Sequence, residues 1–234
     1  MASRKERERS EEQDWNKIDE TVIKSGSFIM NYRNQILIGV GAIIVLIGIY
    51  WGYKTFYVEP KTTDAQVALF KGEQYFQAGQ DSLALFGDGN AYMGFESIIN
   101  EYGSTKTGDL AKAYAGISYA RLGQYEKALD YLKGFSGGDA MITPAVKGAI
   151  GDCLVNTGKA QEAVSYFEGA AKDASDLLLS PIFYKKAAMV YRDAKNYDKV
   201  IELFTKVKND YMASPEAMEA DKYIQEATIL KGSN

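Results

Sequence analysis

The stretch that decides the fold runs from Gly116 to Phe204 and repeats one pattern three times. It reads Gly116-x-x-Tyr119-x-x-x-Gly123-x-Tyr125-x-x-Ala128-x-x-x-Leu132. It continues as Gly151-x-x-Leu154-x-x-x-Gly158-x-x-x-x-Ala163-x-x-x-Phe167, then Ala188-x-x-Tyr191-x-x-x-Lys195-x-Tyr197-x-x-Val200-x-x-x-Phe204. The three starts lie 35 and 37 residues apart. Self-similarity at such a period marks units that cannot bury their apolar faces alone and stack to do so. Each unit reads as two helices joined by a tight turn. A small residue in helix A (Gly116, Gly151, Ala188) meets one in helix B (Ala128, Ala163, Val200) where the helices cross. The large residue after it (Leu132, Phe167, Phe204) fills the space beside the crossing. Lys195 and Val200 make the third copy the weakest match, since they replace the turn glycine and the small alanine.

An earlier copy begins Gly72-x-x-Tyr75-x-x-x-Gly79. Its second helix is expected to resume near Tyr92, with Gly94 and Ile98 in the small and large slots. Residues 80–91, through Leu83-Ala84-Leu85-Phe86, read as an inserted loop. The prolines mark the same period. Thr143-Pro144, Ser180-Pro181 and Ser214-Pro215 lie 37 and 34 residues apart. Each reads as a hydroxyl N-cap with proline at the first helical position, where a missing N–H costs nothing. The last segment, 215–231, puts Ala220, Tyr223, Ile224, Ala227 and Leu230 on one face and is expected to cap the stack.

These motifs resemble the tetratricopeptide-repeat (TPR) family over residues 65–231. The expected fold is all-α: three to four helix-turn-helix repeats plus a C-terminal capping helix, preceded by a single transmembrane helix. The resemblance implies a peptide- or protein-binding groove lined by the A helices. On this sequence the groove positions are Gln66, Phe70, Glu73 and Gln77; Tyr114, Ile117 and Arg121; Asp152 and Asn156; and Lys185, Met189 and Arg192. Lys185, Met189 and Arg192 stand at i, i+4 and i+7, two cations flanking a thioether, a pattern that suits an acidic amphipathic segment. A solvated helix face would use the same residues. The family's carboxylate clamp for chaperone tails is absent, because its slots hold Ile117, Ala149 and Ala145.

The membrane helix is read from Asn34–Tyr53, NQILIGVGAIIVLIGIYWGY, which carries no charge. A bilayer core takes about 20 such residues. Tyr50, Trp51 and Tyr53 cluster at one end, as interfacial aromatics do. The run exceeds a signal-peptide core and no small-x-small site follows, so it reads as an uncleaved signal anchor. Gly41, Gly48 and Gly52 form a stripe containing a GxxxG, a candidate docking surface for another membrane helix. The organisation expected is a charged cytoplasmic tail (1–33), the anchor (34–57), a tether (58–64) that keeps the groove within roughly 20 Å of the membrane, and the repeat domain (65–234).

Residues 1–33 carry seven basic and seven acidic side chains, and residues 59–234 carry 19 and 24. An acidic repeat domain lacks the basic footprint of nucleic-acid binding. Histidine is absent, and Cys153 is the one cysteine. No P-loop, GxSxG, CxxC or metal-ligand cluster appears, so no enzymatic activity, cofactor or small-molecule substrate is expected. In the tail, Ser10-x-x-Gln13 reads as a capping box opening a short amphipathic helix over 11–24.

Taken together, this architecture resembles the YfgM-like family, ancillary subunits of the bacterial SecYEG translocon. That resemblance implies an inner-membrane protein with its N-terminus in the cytoplasm and its repeats in the periplasm. The implied partners are translocon subunits, a membrane-anchored isomerase-like chaperone and client polypeptides. A scaffold for another cell-envelope assembly is the alternative.

Overall fold

The computed structural model describes residues 32, 34, 35, 37–55 and 59–233. The expected helix over 11–24 lies outside them. The chain divides into two compact units, Met1–Glu59 and Pro60–Asn234. In the first, residues 37–53 are α-helical and their apolar side chains face solvent; Ile38 is 72% exposed and Trp51 70%. Among the described residues no helix is long and apolar enough to cross a membrane. Arg33, Ile36 and residues 56–58 are not among those described. A methyl group added at Gly41, Gly48 or Gly52 would meet open space.

The second unit is helical throughout its regular elements: α1 (Glu59–Gln77), α2 (Asp81–Phe86), α3 (Phe95–Tyr102), α4 (Lys106–Arg121), α5 (Tyr125–Lys133), α6 (Ile142–Asn156), α7 (Ala160–Ala174), α8 (Leu179–Asp193), α9 (Tyr197–Asp210) and α10 (Pro215–Gly232). Helices α4/α5, α6/α7 and α8/α9 pair as the three motif copies demand, and α10 closes the stack against α8 and α9. Helix α1 begins at Glu59, so residues 59–64, expected as tether, are helical.

The turns that close the four A helices, α1, α4, α6 and α8, share one geometry. Gly79, Gly123, Gly158 and Lys195 all adopt the left-handed region, at φ 69, 74, 77 and 58°. The next amide in each turn donates to a carbonyl five residues back: Gln80 to Tyr75, Gln124 to Tyr119, Lys159 to Leu154 and Asn196 to Tyr191, at 2.8–2.9 Å. This is the Schellman closure, which satisfies orphan carbonyls at the helix end. Lys195 therefore performs the turn glycine's task despite carrying a Cβ.

The crossings are as tight as the small residues suggest. A Cβ on Gly116 would sit 2.5 Å from Leu132 Cγ and 3.1 Å from the Ala128 carbonyl oxygen, and one on Gly151 would sit 2.5 Å from the Phe167 ring. Leu132, Phe167 and Phe204 are fully buried, as are Ala128, Ala163 and Val200. In the cap helix, Ala220 and Ala227 are buried and Tyr223 stacks on Phe204 with ring centroids 4.6 Å apart. Leu230, expected on that face, stays exposed.

Three local expectations need correction. Residues 80–91 are not simply a loop: α2 occupies 81–86, and Ala84 and Leu85 are fully buried. The second helix of the first repeat starts at Phe95, and Gly94 is its N-cap at φ 87° rather than a crossing residue. The space beside Gly72 is instead filled by Tyr92 and Phe95. Finally, only Ser214 caps as expected, accepting from Ala217 N at 3.1 Å with Pro215 opening α10. Helices α6 and α8 start earlier than their hydroxyl–proline pairs. Asp139 accepts from Met141 and Ile142 amides at 2.7 and 3.0 Å, and Asp176 from Leu178 and Leu179 at 2.8 and 2.6 Å. These amides hold the Asp139 carboxyl below the usual range. Pro144 and Pro181 then fall inside the first turn, where a missing N–H is still harmless. Thr143 and Ser180 instead bond backward, to the Gly137 and Ala171 carbonyls.

Candidate functional site

Helices α6 and α8 are the A helices of adjacent repeats, and a cleft of about 440 Å³ opens along them. Helix α6 contributes Asp152, Val155 and Asn156; α8 contributes Ile182, Lys185, Lys186, Met189, Val190 and Asp193; Phe167 and Glu216 complete the wall. Four groove residues expected from sequence thus come together: Asp152, Asn156, Lys185 and Met189. The period explains why. Positions one repeat apart on successive A helices face each other across the groove between them.

Charge in the cleft is paired across repeats. Lys186 Nζ donates to both Asp152 oxygens, at 2.8 and 2.6 Å, and Lys185 Nζ donates to Glu219 at 2.6 Å. Each pair spans 34 residues, one repeat. Glu219 raises the Lys185 pKa, and Lys185 lowers that of Glu219. Val155, Ile182 and half-buried Met189 add apolar side chains to the same lining, and Glu219 lies outside it. Lys186 also lies 5.7 Å from the Phe167 ring centroid, and Lys185 5.9 Å from that of Tyr223. Asn156 Nδ2 donates back to the Asp152 carbonyl. Arg192 lies outside the lining, with Nε 3.6 Å from Asp193. Both cations that flank Met189 in sequence therefore already have acidic neighbours.

The remaining expected groove residues lie on α1 and α4, apart from this cleft. Gln66, Phe70 and Gln77 are exposed. The Tyr114 ring stacks on Phe95 at 5.5 Å and meets Phe76 edge-on at 5.0 Å. Burial pushes its phenol up to about 12, with help from its hydrogen bond to Glu73. Ile117 is half-buried against the core. Arg121 covers the Phe76 ring at 4.1 Å and reaches the Phe76 carbonyl at 3.2 Å and Asp81 at 3.4 Å. Tyr114, Glu73 and Arg121 thus tie the first repeat to the second.

Lys186 and Glu219 are not among the residues that the sequence reading singles out. A signal exists all the same: opposite charges one repeat apart, Asp152 with Lys186 and Lys185 with Glu219. Cys153 points into the core at 0% exposure, and burial pushes its thiol up to about 11. A thiol in that state is a poor nucleophile.

No protein-family model matches the chain, and no curated protein matches it. Among solved structures, a Podosopora anserina protein described as a kinesin light chain with nearly identical TPR-like repeats is similar. The two are 15% identical, with a TM-score of 0.54, and the alignment covers 72% of this chain and 87% of that one. A variant of the same protein aligns with the same identity and coverage at a TM-score of 0.53. At that identity the likeness concerns the fold alone, and the described residues of the second unit form a solenoid of TPR-like repeats.

Proposed function

We propose that this protein is a non-enzymatic, membrane-anchored TPR adaptor that binds polypeptides on the extracytoplasmic side of a bacterial inner membrane, ancillary to the Sec translocon. The observation that carries the binding reading is the α6/α8 cleft. Apolar Val155, Ile182 and Met189 share its lining with Asp152, Lys185 and Lys186, so an amphipathic segment can bury side chains there and exchange its own charges with those three. Of the expected groove residues on α1 and α4, exposed Gln66, Phe70 and Gln77 offer a second patch toward the first repeat, while Glu73, Tyr114, Ile117 and Arg121 serve packing between the first two repeats. Arg192 flanks the far end of the cleft.

The anchoring reading is supported by the uncharged run 34–53 and its exposed apolar side chains. A helix that is apolar all round is solvated badly by water and well by lipid. Gly41, Gly48 and Gly52 offer a smooth stripe for a translocon helix. The wealth of Lys and Arg in the short tail favours a cytoplasmic N-terminus. Partners would be translocon subunits, a membrane-anchored isomerase-like chaperone and client chains.

The test is purification through a C-terminal tag from mildly solubilised native membranes. Co-purification of a SecY-type channel supports the translocon reading. A different envelope assembly, with no channel, replaces it with the scaffold alternative. Recovery entirely in the soluble fraction ends the anchoring reading. Loss of the channel in the Gly48→Leu, Gly52→Leu double variant assigns docking to the glycine stripe.

A further inference from the structure

Large apolar side chains stand in solvent at the turns that lead from one repeat into the next. Met141 is 77% exposed, Leu178 72% and Met212 77%. Each lies three residues before one of the phased prolines, Pro144, Pro181 and Pro215. Leu177, beside Leu178, is 70% exposed. Equivalent positions of a solenoid line up, so these side chains form a row along one edge. Two of the tips are held firmly, because Asp139 and Asp176 bind the amides of Met141 and Leu178 themselves.

The chain enters the solenoid at the same edge. Helix α1 is the first A helix. Near its start, Lys61 Nζ lies 6.0 Å from the ring of Tyr102, the last residue of α3. Near its end, Phe76 lies beneath Arg121, the last residue of α4. Helix α1 therefore runs parallel to α4, and it opens at the edge that carries Met141, Leu178 and Met212. The last turns of the B helices at that edge add Lys133, Lys172 and Lys208, the last paired with Asp221 at 2.6 Å, and Asp139, Asp173, Asp176 and Asp210 lie at the same edge.

We infer that this edge of the solenoid rests on the surface of the bilayer, with Met141, Leu177, Leu178 and Met212 seated among the headgroups. The inference depends on the membrane anchoring proposed above. Separate apolar tips interspersed with lysines are the chemistry of interfacial adsorption. They suit a fluid surface better than a shaped protein pocket, since each tip projects alone and a repeat separates it from the next. A weak affinity per tip suffices, because the anchor precedes α1 in the chain and makes the contact intramolecular. The consequence is orientation: repeats laid along the membrane rather than projecting from it, with the A–B turns at Gly123, Gly158 and Lys195 pointing away.

The experiment uses the full chain in vesicles of phosphatidylcholine and phosphatidylglycerol. Environment-sensitive fluorophores are placed at Met141→Cys, Leu178→Cys and Met212→Cys, and at Lys159→Cys on the opposite edge. Cys153 is fully buried and escapes labelling. Acyl-chain doxyl lipids are expected to quench the first three labels about twofold and leave the fourth unchanged. Chains that float with the vesicles yet show no quenching at any of the three overturn the inference and leave the anchoring intact. Chains that fail to float remove the anchoring and the inference together. Labels shielded from aqueous iodide but not quenched by lipid mean that protein covers the edge, which also overturns it. As a second check, the Met141→Ser, Leu177→Ser, Leu178→Ser, Met212→Ser variant should still float and melt as the parent does. A label at Lys172→Cys should then lose its lipid contact; a label that stays in contact counts against the row.

Discussion

The repeat that begins at Gly72 and the repeat that begins at Gly151 solve one problem by different means. Both carry a glycine in helix A that lets another element approach closely. At Gly151 the space is taken by Phe167, a residue of helix B in the slot that the motif assigns. At Gly72 it is taken by Tyr92, from the loop that joins the insertion to α3, with Phe95 from the first turn of α3. Tyr92 is fixed by its hydroxyl, which donates to the Ala84 carbonyl at 2.7 Å. The insertion has its own staple. Asp88 accepts from the amides of Asn90, Ala91 and Tyr92 at 2.9–3.0 Å and from the Tyr75 hydroxyl at 3.0 Å, and Lys71 Nζ lies 3.4 Å away. A crossing thus requires filled volume and not a particular register, and a repeat that fills it from a loop needs extra polar bonds to hold that loop.

The comparison breaks most directly at the two glycines. Gly151→Ala forces a methyl into a ring locked between helices and should cost about 3 kcal/mol. Gly72→Ala meets the Tyr92 hydroxyl, which a loop carries, at 2.2 Å and the Phe95 ring of α3 at 2.4 Å; the loop can retreat and the helix cannot, so the substitution should cost only about 0.5 kcal/mol less. Urea denaturation of both variants measures the difference. Equal losses would mean that the insertion is as rigid as a helix. Next comes Ser118, whose hydroxyl on α4 is fully buried without a hydrogen-bond partner. Ser118→Ala should stabilise by about 1 kcal/mol, read from the same transition.

The turns give a third contrast. Lys195→Gly should stabilise by about 1 kcal/mol, since only a side chain with a Cβ is strained by left-handed backbone there. Gly158→Lys should lose a similar amount, and thermal melts of the pair check the symmetry. The smallest effect is local. Asp88→Asn should remove hydrogen-exchange protection from the amides of residues 90–92 while the repeat around Gly151 stays protected. The pH dependence has a definite sign. Those backbone bonds depress the Asp88 pKa. Its contribution is therefore fully present above the unfolded carboxylate value of about 4 and is lost as pH falls through the lower folded value.

Much of this is legible in the sequence where side chain and backbone tasks coincide. Gly116 with Leu132 and Gly151 with Phe167 announce the crossings, and the glycines at 79, 123 and 158 announce the turns. Legibility fails where a task can be met by more than one residue type. Asp139 and Asp176 take the capping role that the hydroxyl–proline pattern offers to Thr143 and Ser180, because a carboxylate reaches the same orphan amides from further out. Helix α2 is hidden because six residues are too few to show a period. Of the groove, Asp152, Asn156, Lys185 and Met189 meet because they share a phase of the repeat. The α1 and α4 residues carry the same family positions, but Tyr114 and Arg121 are taken up by packing between the first two repeats.

The cross-repeat pairs have a mechanical meaning. Lys186–Asp152, Lys185–Glu219 and Lys231–Asp198 are partly or largely exposed. Such pairs contribute only about 0–1 kcal/mol each and weaken with salt. The apolar seams are close both within and between repeats: a Cβ on Gly151 would sit 2.5 Å from the Phe167 ring of its own repeat, and one on Gly148 2.2 Å from the Phe183 ring of the next. The pitch of the solenoid is then set by its apolar seams, and ionic strength acts only on the charged trim along its surface.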